Sequence, residues 1–170
     1  MIRALALTIT LGVALTACGA SPAIKLGPDG KPMPTARQIS AFEKNKITYR
    51  MLDSINELRA AAGAPAVQLN SQLTAAAATH SRDMNLQNRP WHFGSDGSSP
   101  IDRVARTGYT GQMLGENISE TFETELETLA AWMDQPDTRD VILDSRARNM
   151  GFAWYQEEGG KIWWTLLLGS

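Results

Sequence analysis

The chain has 170 residues, a formal net charge of -2 with both signs interspersed, and an ordinary apolar fraction. That length suffices for one domain with a real core. The charge pattern gives no electrostatic footprint for nucleic acid and no polybasic membrane patch. One cysteine, Cys18, excludes an internal disulfide, so the fold must rest on apolar burial.

Residues 1–17 read as a leader. Met1-Ile2-Arg3 is a short basic segment and residues 4–15 are an apolar run too short for a stable membrane span. Leu15-Thr16-Ala17-Cys18 follows at once and resembles a bacterial lipobox. That resemblance implies cleavage before Cys18 and lipidation of its thiol, with several acyl chains giving durable anchoring. Gly19 rather than Asp after the cysteine points, in a Gram-negative cell, to the periplasmic side of the outer membrane. Residues 18–34 are rich in Pro and Gly and read as a tether, leaving 35–170 as the domain.

Thr35 and Gln38 form a capping-box pattern at the head of the first helix. Apolar residues then recur at Ile39, Phe42, Ile47, Met51, Leu52, Ile55 and Leu58, with a break expected around Lys44–Lys46. Gly63 and Pro65 end the element, and Ala66–Leu69 is short and extended. Asn70 caps a second helix over 71–86. Its apolar stripe of Leu73, Ala77 and Met84 includes His80, which reads as a buried histidine bonded to backbone rather than a catalytic one.

A loop dense in Gly, Ser and Asp carries the second histidine, His92. Such loops form turns and expose backbone donors, which suits a binding rim. Ser99-Pro100-Ile101-Asp102 opens a short helix that Gly108 ends, and Leu114–Ile118 is extended. Thr121 or Thr124 starts another helix, with Leu126, Leu129, Ala130 and Met133 as its buried stripe, its acidic residues on a solvated face, and Pro136 as its stop. Met150–Gln156 and Lys161–Leu168 flank a turn and read as a hairpin. The second of these strands is apolar on both faces, so it needs a layer above and a layer below. The expected fold is α+β: a three-layer α–β–α sandwich with a largely antiparallel central sheet.

The ordered set Leu52–Arg59, His80-Ser81-Arg82-Asp83-Met84, His92–Gly97, Gly115-Glu116-Asn117-Ile118, Trp132-Met133, Gly151-Phe152-Ala153 and Trp164-Thr165 resembles the bacterial branch of the CAP superfamily, also called SCP domains, over about residues 48–170. The resemblance implies the same sandwich and a surface cavity lined by two histidines and two acidic residues, sometimes holding zinc. His92 and Glu116 match two of the four. Gln135 and Thr138 stand where the second acid and second histidine belong, so the four cavity residues here are His92, Glu116, Gln135 and Thr138. One imidazole and one carboxylate do not hold zinc tightly. Any metal would need Asp137 or Asp140 as a further oxygen ligand beside His92 and Glu116, a harder site suited to calcium or magnesium.

A nucleophilic triad from Ser95 or Ser98, His92, and Asp96 or Glu116 exists on paper, without a Gly-x-Ser-x-Gly elbow. The tryptophans at 91, 132, 154, 163 and 164 read as core before pocket. Three functional readings follow. The first is a membrane-anchored, extracytoplasmic, non-catalytic module for a small apolar, lipid or cell-envelope ligand. The second is a metal-assisted peptide or ester hydrolase using His92 and Glu116. The third is a structural envelope protein with an inert cavity.

Overall fold

The computed structural model describes residues 37–120 and 122–170. The leader, Cys18, the tether, Thr35 and Thr121 lie outside the described residues. In chain order the elements are α1 (Glu43–Ala61), β1 (Gln68–Leu69), α2 (Ser71–Gln87), α3 (Pro100–Arg106), β2 (Met113–Ser119), α4 (Glu125–Asp134), α5 (Pro136–Leu143), β3 (Asn149–Gln156) and β4 (Ile162–Gly169). Among the described residues, no helix is long and apolar enough to cross a membrane.

The four strands form one mixed sheet in the order β1-β3-β4-β2. The β3–β4 hairpin and the β2–β4 pair are antiparallel, and the two-residue β1 runs parallel to β3. β4 is buried at every residue. Its side chains alternate between two cores. Ile162, Trp164, Leu166 and Leu168 pack with Ile47, Met51 and Ile55 of α1, Leu129 and Trp132 of α4, and Ile142 of α5. Leu167 points the other way, to Leu73, Ala76 and Ala77 of α2 and Val104 of α3. The sheet is therefore the middle layer of an α–β–α sandwich, as two apolar faces on one strand require.

Close approach of α2 to the sheet depends on Gly151. A Cβ built there would collide with the backbone of Leu73. On the same face Ser81 and Thr165 share a hydrogen bond of 2.8 Å, which satisfies two polar groups inside an apolar layer.

Several local expectations hold at the atomic level. Asn70 caps α2 by accepting from the Leu73 N–H, and Ser99 with Asp102 and Thr124 with Glu127 form reciprocal capping boxes. Others are corrected. α1 is continuous through Lys44–Lys46 and begins at Glu43, where Ser40 and Glu43 are hydrogen-bonded. Gln38 instead donates to the carbonyls of Glu157 and Glu158 in the β3–β4 turn. Phe42, counted in the apolar stripe, is 96% exposed.

In α4 the inward face is Glu125, Thr128, Leu129 and Trp132, while Leu126 is exposed. Glu125 is buried and pairs with the exposed Arg50, so the acidic run is split between one buried carboxylate and the surface. Pro136 does end α4, but it also begins α5, a helix that the sequence pattern did not reveal. Proline at the first helical position loses no hydrogen bond and has its φ preset, so one residue serves both roles.

Candidate functional site

Glu116 lies on β2 opposite Leu167, so its side chain faces the α2–α3 layer. The capped start of α3 fixes that helix's phase, and both Val104 and Arg103 then turn inward. The loop between α2 and α3 is tied down from α2. Asp83 accepts from the Ser95 N–H at 2.7 Å and the Ser95 hydroxyl at 2.5 Å, and Gln87 donates to Asp83 and to the Phe93 carbonyl. Trp91 donates to Gln87 at 2.7 Å, and the Arg89 guanidinium lies 3.9 Å above its ring. These bonds hold His92 over β2.

The carboxylate of Glu116 is the centre of the cluster. Oε1 is 2.9 Å from Nδ1 of His92, and Oε2 accepts from Nη2 of Arg103 at 2.7 Å. Nη1 of Arg103 donates to the His92 carbonyl at 2.9 Å. Arg103 thus fixes the backbone of the histidine and the carboxylate it meets. Both Glu116 and Arg103 are buried, while the His92 side chain is half exposed. A carboxylate paired with a guanidinium is an acceptor, so Nδ1 of His92 donates, and Nε2 makes no hydrogen bond among the described residues.

His80 is completely buried on α2, with Nε2 3.7 Å from Oε1 of Glu116. Neither ring nitrogen makes a hydrogen bond among the described residues. The expected burial is present, and the backbone group near the ring is the Trp91 carbonyl, short of good hydrogen-bond geometry. Burial pushes the His80 pKa below 6.5; Arg103 adds to this, while Glu116, the Trp91 carbonyl and Asp83 oppose it. His80 is therefore held as neutral imidazole beside the carboxylate.

The four expected cavity residues do not share one surface. His92 and Glu116 meet. Next to Glu116, Asn117 faces the opposite layer, where it donates to the Thr138 carbonyl at 2.8 Å. The Thr138 hydroxyl is spent on the Trp132 carbonyl at 2.6 Å, which joins α4 to α5. Gln135 is exposed, with one long contact to Asp134. The sheet edge separates Gln135 and Thr138 from the Glu116 carboxylate.

The donor set does not fit a metal. His80, His92 and Glu116 are neighbours, but among the described residues no three His, Cys, Asp or Glu side chains are arranged to hold a metal ion. The second oxygen of Glu116 is already held by a guanidinium, which repels a divalent cation. Asp137 lies at the exposed head of α5, beside Thr138 on the far layer. The triad candidates also disperse. The Ser95 hydroxyl donates to Asp83, Ser98 bonds Asp96, and neither serine bonds His92. Trp132, Trp154, Trp163 and Trp164 are packed into the sandwich, with Phe152 and Trp164 stacked 8° from parallel.

Sequence reasoning missed Arg103 and took His80 as separate from the site. The one local signal for Arg103 was phase: Val104 must face the core, and the Ser99 cap sets how far its neighbour follows.

An α–β–α sandwich with Glu116 on its edge strand and His92 above it in the α2–α3 loop places the molecule among SCP-type folds. Solved structures agree on the fold. An outer surface protein of Borrelia burgdorferi superposes with a TM-score of 0.68 at 18% identity, covering 79% of this chain and 98% of that one. An extracellular protein of Bacillus anthracis containing a SCP domain gives 0.68 at 20% identity, covering 79% of this chain and 45% of that one. The chain belongs to the CAP, or cysteine-rich secretory protein, family, whose model matches residues 52–168. The protein YkwD of Bacillus subtilis, described as uncharacterized, is 28% identical over 132 residues, 78% of this chain and 49% of that protein. The chain therefore spans about half the length of that curated relative.

Proposed function

We propose that the chain is a lipid-anchored, extracytoplasmic CAP module that binds a small apolar, lipid or cell-envelope ligand without catalysing its conversion. The observation that carries this reading is the engagement of Glu116. Both its oxygens are occupied, by His92 and Arg103, and among the described residues no hydroxyl or thiol bonds His92 to be activated by it. The cluster buttresses the 91–98 loop. Anchoring rests on Leu15-Thr16-Ala17-Cys18 and the tether that follows; in a two-membrane envelope the domain then sits on the periplasmic side of the outer membrane. The names of the relatives, an outer surface protein and an extracellular protein, support a location outside the cytoplasm.

Native mass spectrometry of the protein released from its own membranes tests binding. A bound envelope component at defined stoichiometry is expected. A chain that emerges unliganded, and retains nothing from lipid and peptidoglycan panels, overturns the reading. One observation favours a second reading: His92 has Nδ1 anchored on a carboxylate and Nε2 without a partner among the described residues, the arrangement of a general base. On that reading the protein hydrolyses ester or peptide substrates and His92→Ala abolishes the activity. Activity equal in wild type and His92→Ala excludes it.

A further inference from the structure

A cavity of about 360 Å³ lies between α2 and α3, beside the His92–Glu116 pair but not lined by it. One wall is a single face of α2: Thr79, Arg82, Asp83 and Leu86, spaced so that they stack along the helix. The other wall is the 95–98 loop with Arg103 and Arg106. Its charges are mostly spoken for. Arg106 pairs with Asp96 at 2.6 Å, Arg103 with Glu116, and Asp83 accepts from Ser95 and Gln87. Arg82 is the exception: among the described residues it makes no hydrogen bond and no ion pair, and it is exposed. One turn further on, Leu86 is 79% exposed at the same rim.

We infer that this cavity binds a small amphipathic carboxylate, with Arg82 as its counter-ion and Leu86 as the seat of its apolar part. The inference rests on the binding reading above and gives that reading a site and a ligand class. A guanidinium presents a planar fork that matches a carboxylate in two parallel hydrogen bonds. The volume is at the small end of ligand sites and holds roughly a dozen non-hydrogen atoms at about 30 Å³ each. That is the size of an N-acylated apolar amino acid, the free end of a peptide, or of a short fatty acid.

The test uses the full chain in lipid nanodiscs, with methyl NMR reading Leu86 and Thr79. N-acetyl-leucine represents a peptide end, hexanoate a fatty acid, and N-acetyl-leucinamide the same body without the charge. Saturable shifts at Leu86 and Thr79 are expected with at least one acid. The amide should bind about tenfold more weakly or worse, the loss expected for a charge-assisted hydrogen bond. Arg82→Gln should weaken the acid by a similar factor, while Lys44→Gln, a charge change on α1, leaves it unchanged. The tighter of the two acids identifies the source of the carboxylate. Equal binding of acid and amide, or of wild type and Arg82→Gln, overturns the inference, as does the absence of shifts at about 10 mM of either acid. A ligand retained from the envelope without shifts at Leu86 overturns this site and leaves the binding reading standing. Binding of N-acetyl-leucine with no envelope ligand retained does the reverse.

Discussion

Glu116 is a buried carboxylate whose oxygens are divided between a buried guanidinium and a half-exposed imidazole. Removing one partner of such a pair leaves an uncompensated charge in a low-dielectric layer. Arg103→Met is expected to cost about 3–5 kcal/mol in chemical denaturation, and Glu116→Gln on top of it to recover part of that loss. His80 gives the second residue-scale prediction. Its folded pKa is lowered, so above pH 6.5 the ring is neutral in both states and its contribution is constant. Below pH 6.5 the unfolded chain gains a proton that the buried ring resists, and stability falls with pH. The slope of unfolding free energy between about pH 5 and 6.5 should flatten in His80→Leu. An unchanged slope would mean that His80 titrates normally in the folded protein. Arg59 shows the opposite solution to burial: among the described residues it has no carboxylate in ion-pair contact and instead donates to the carbonyls of Pro65, Ile142, Asp144 and Ala147.

Among the elements, α2 determines how close the site's two walls come. It packs so tightly on β3 that Gly151 has no room for a side chain, and the obstacle is backbone rather than a flexible tip. Gly151→Ala should therefore destabilise by about 1–3 kcal/mol through overpacking, with a lowered thermal midpoint as the readout. The α4 cap is a separate device. Thr124 accepts from the Glu127 N–H while Glu127 reaches back to Thr124, so Thr124→Ala should cost about 1 kcal/mol. Because α4 and α2 lie on opposite faces of the sheet, the two losses should add in the double variant. The boundary between α4 and α5 was hidden because proline is equally compatible with ending one helix and starting the next.

In the molecule as a whole, a two-sided sheet supports a core on each face and leaves β2 as an edge strand carrying Glu116. The proposed anchor is tested on the full chain. Wild type should incorporate labelled fatty acid and lose residues 1–17, and Cys18→Ala should do neither, as read by labelling and intact mass. Labelling that survives Cys18→Ala would remove the anchor from the proposed function.

The sandwich, three of the caps and the family were legible in the order of residues alone. β4 is apolar on both faces, Asn70, Ser99 and Thr124 sit at helix heads, and the family residues fall in order along the chain. Those signals are local: alternation and capping are written within a few consecutive residues. The polar pairings exist only once the chain has folded: Arg103 on Glu116, His80 beside it, Arg50 on Glu125, and Thr138 turned to α4 rather than to the cavity. Each joins groups from different elements, and an ion pair or a buried imidazole is specified by where the chain has been folded, not by the residues that precede it.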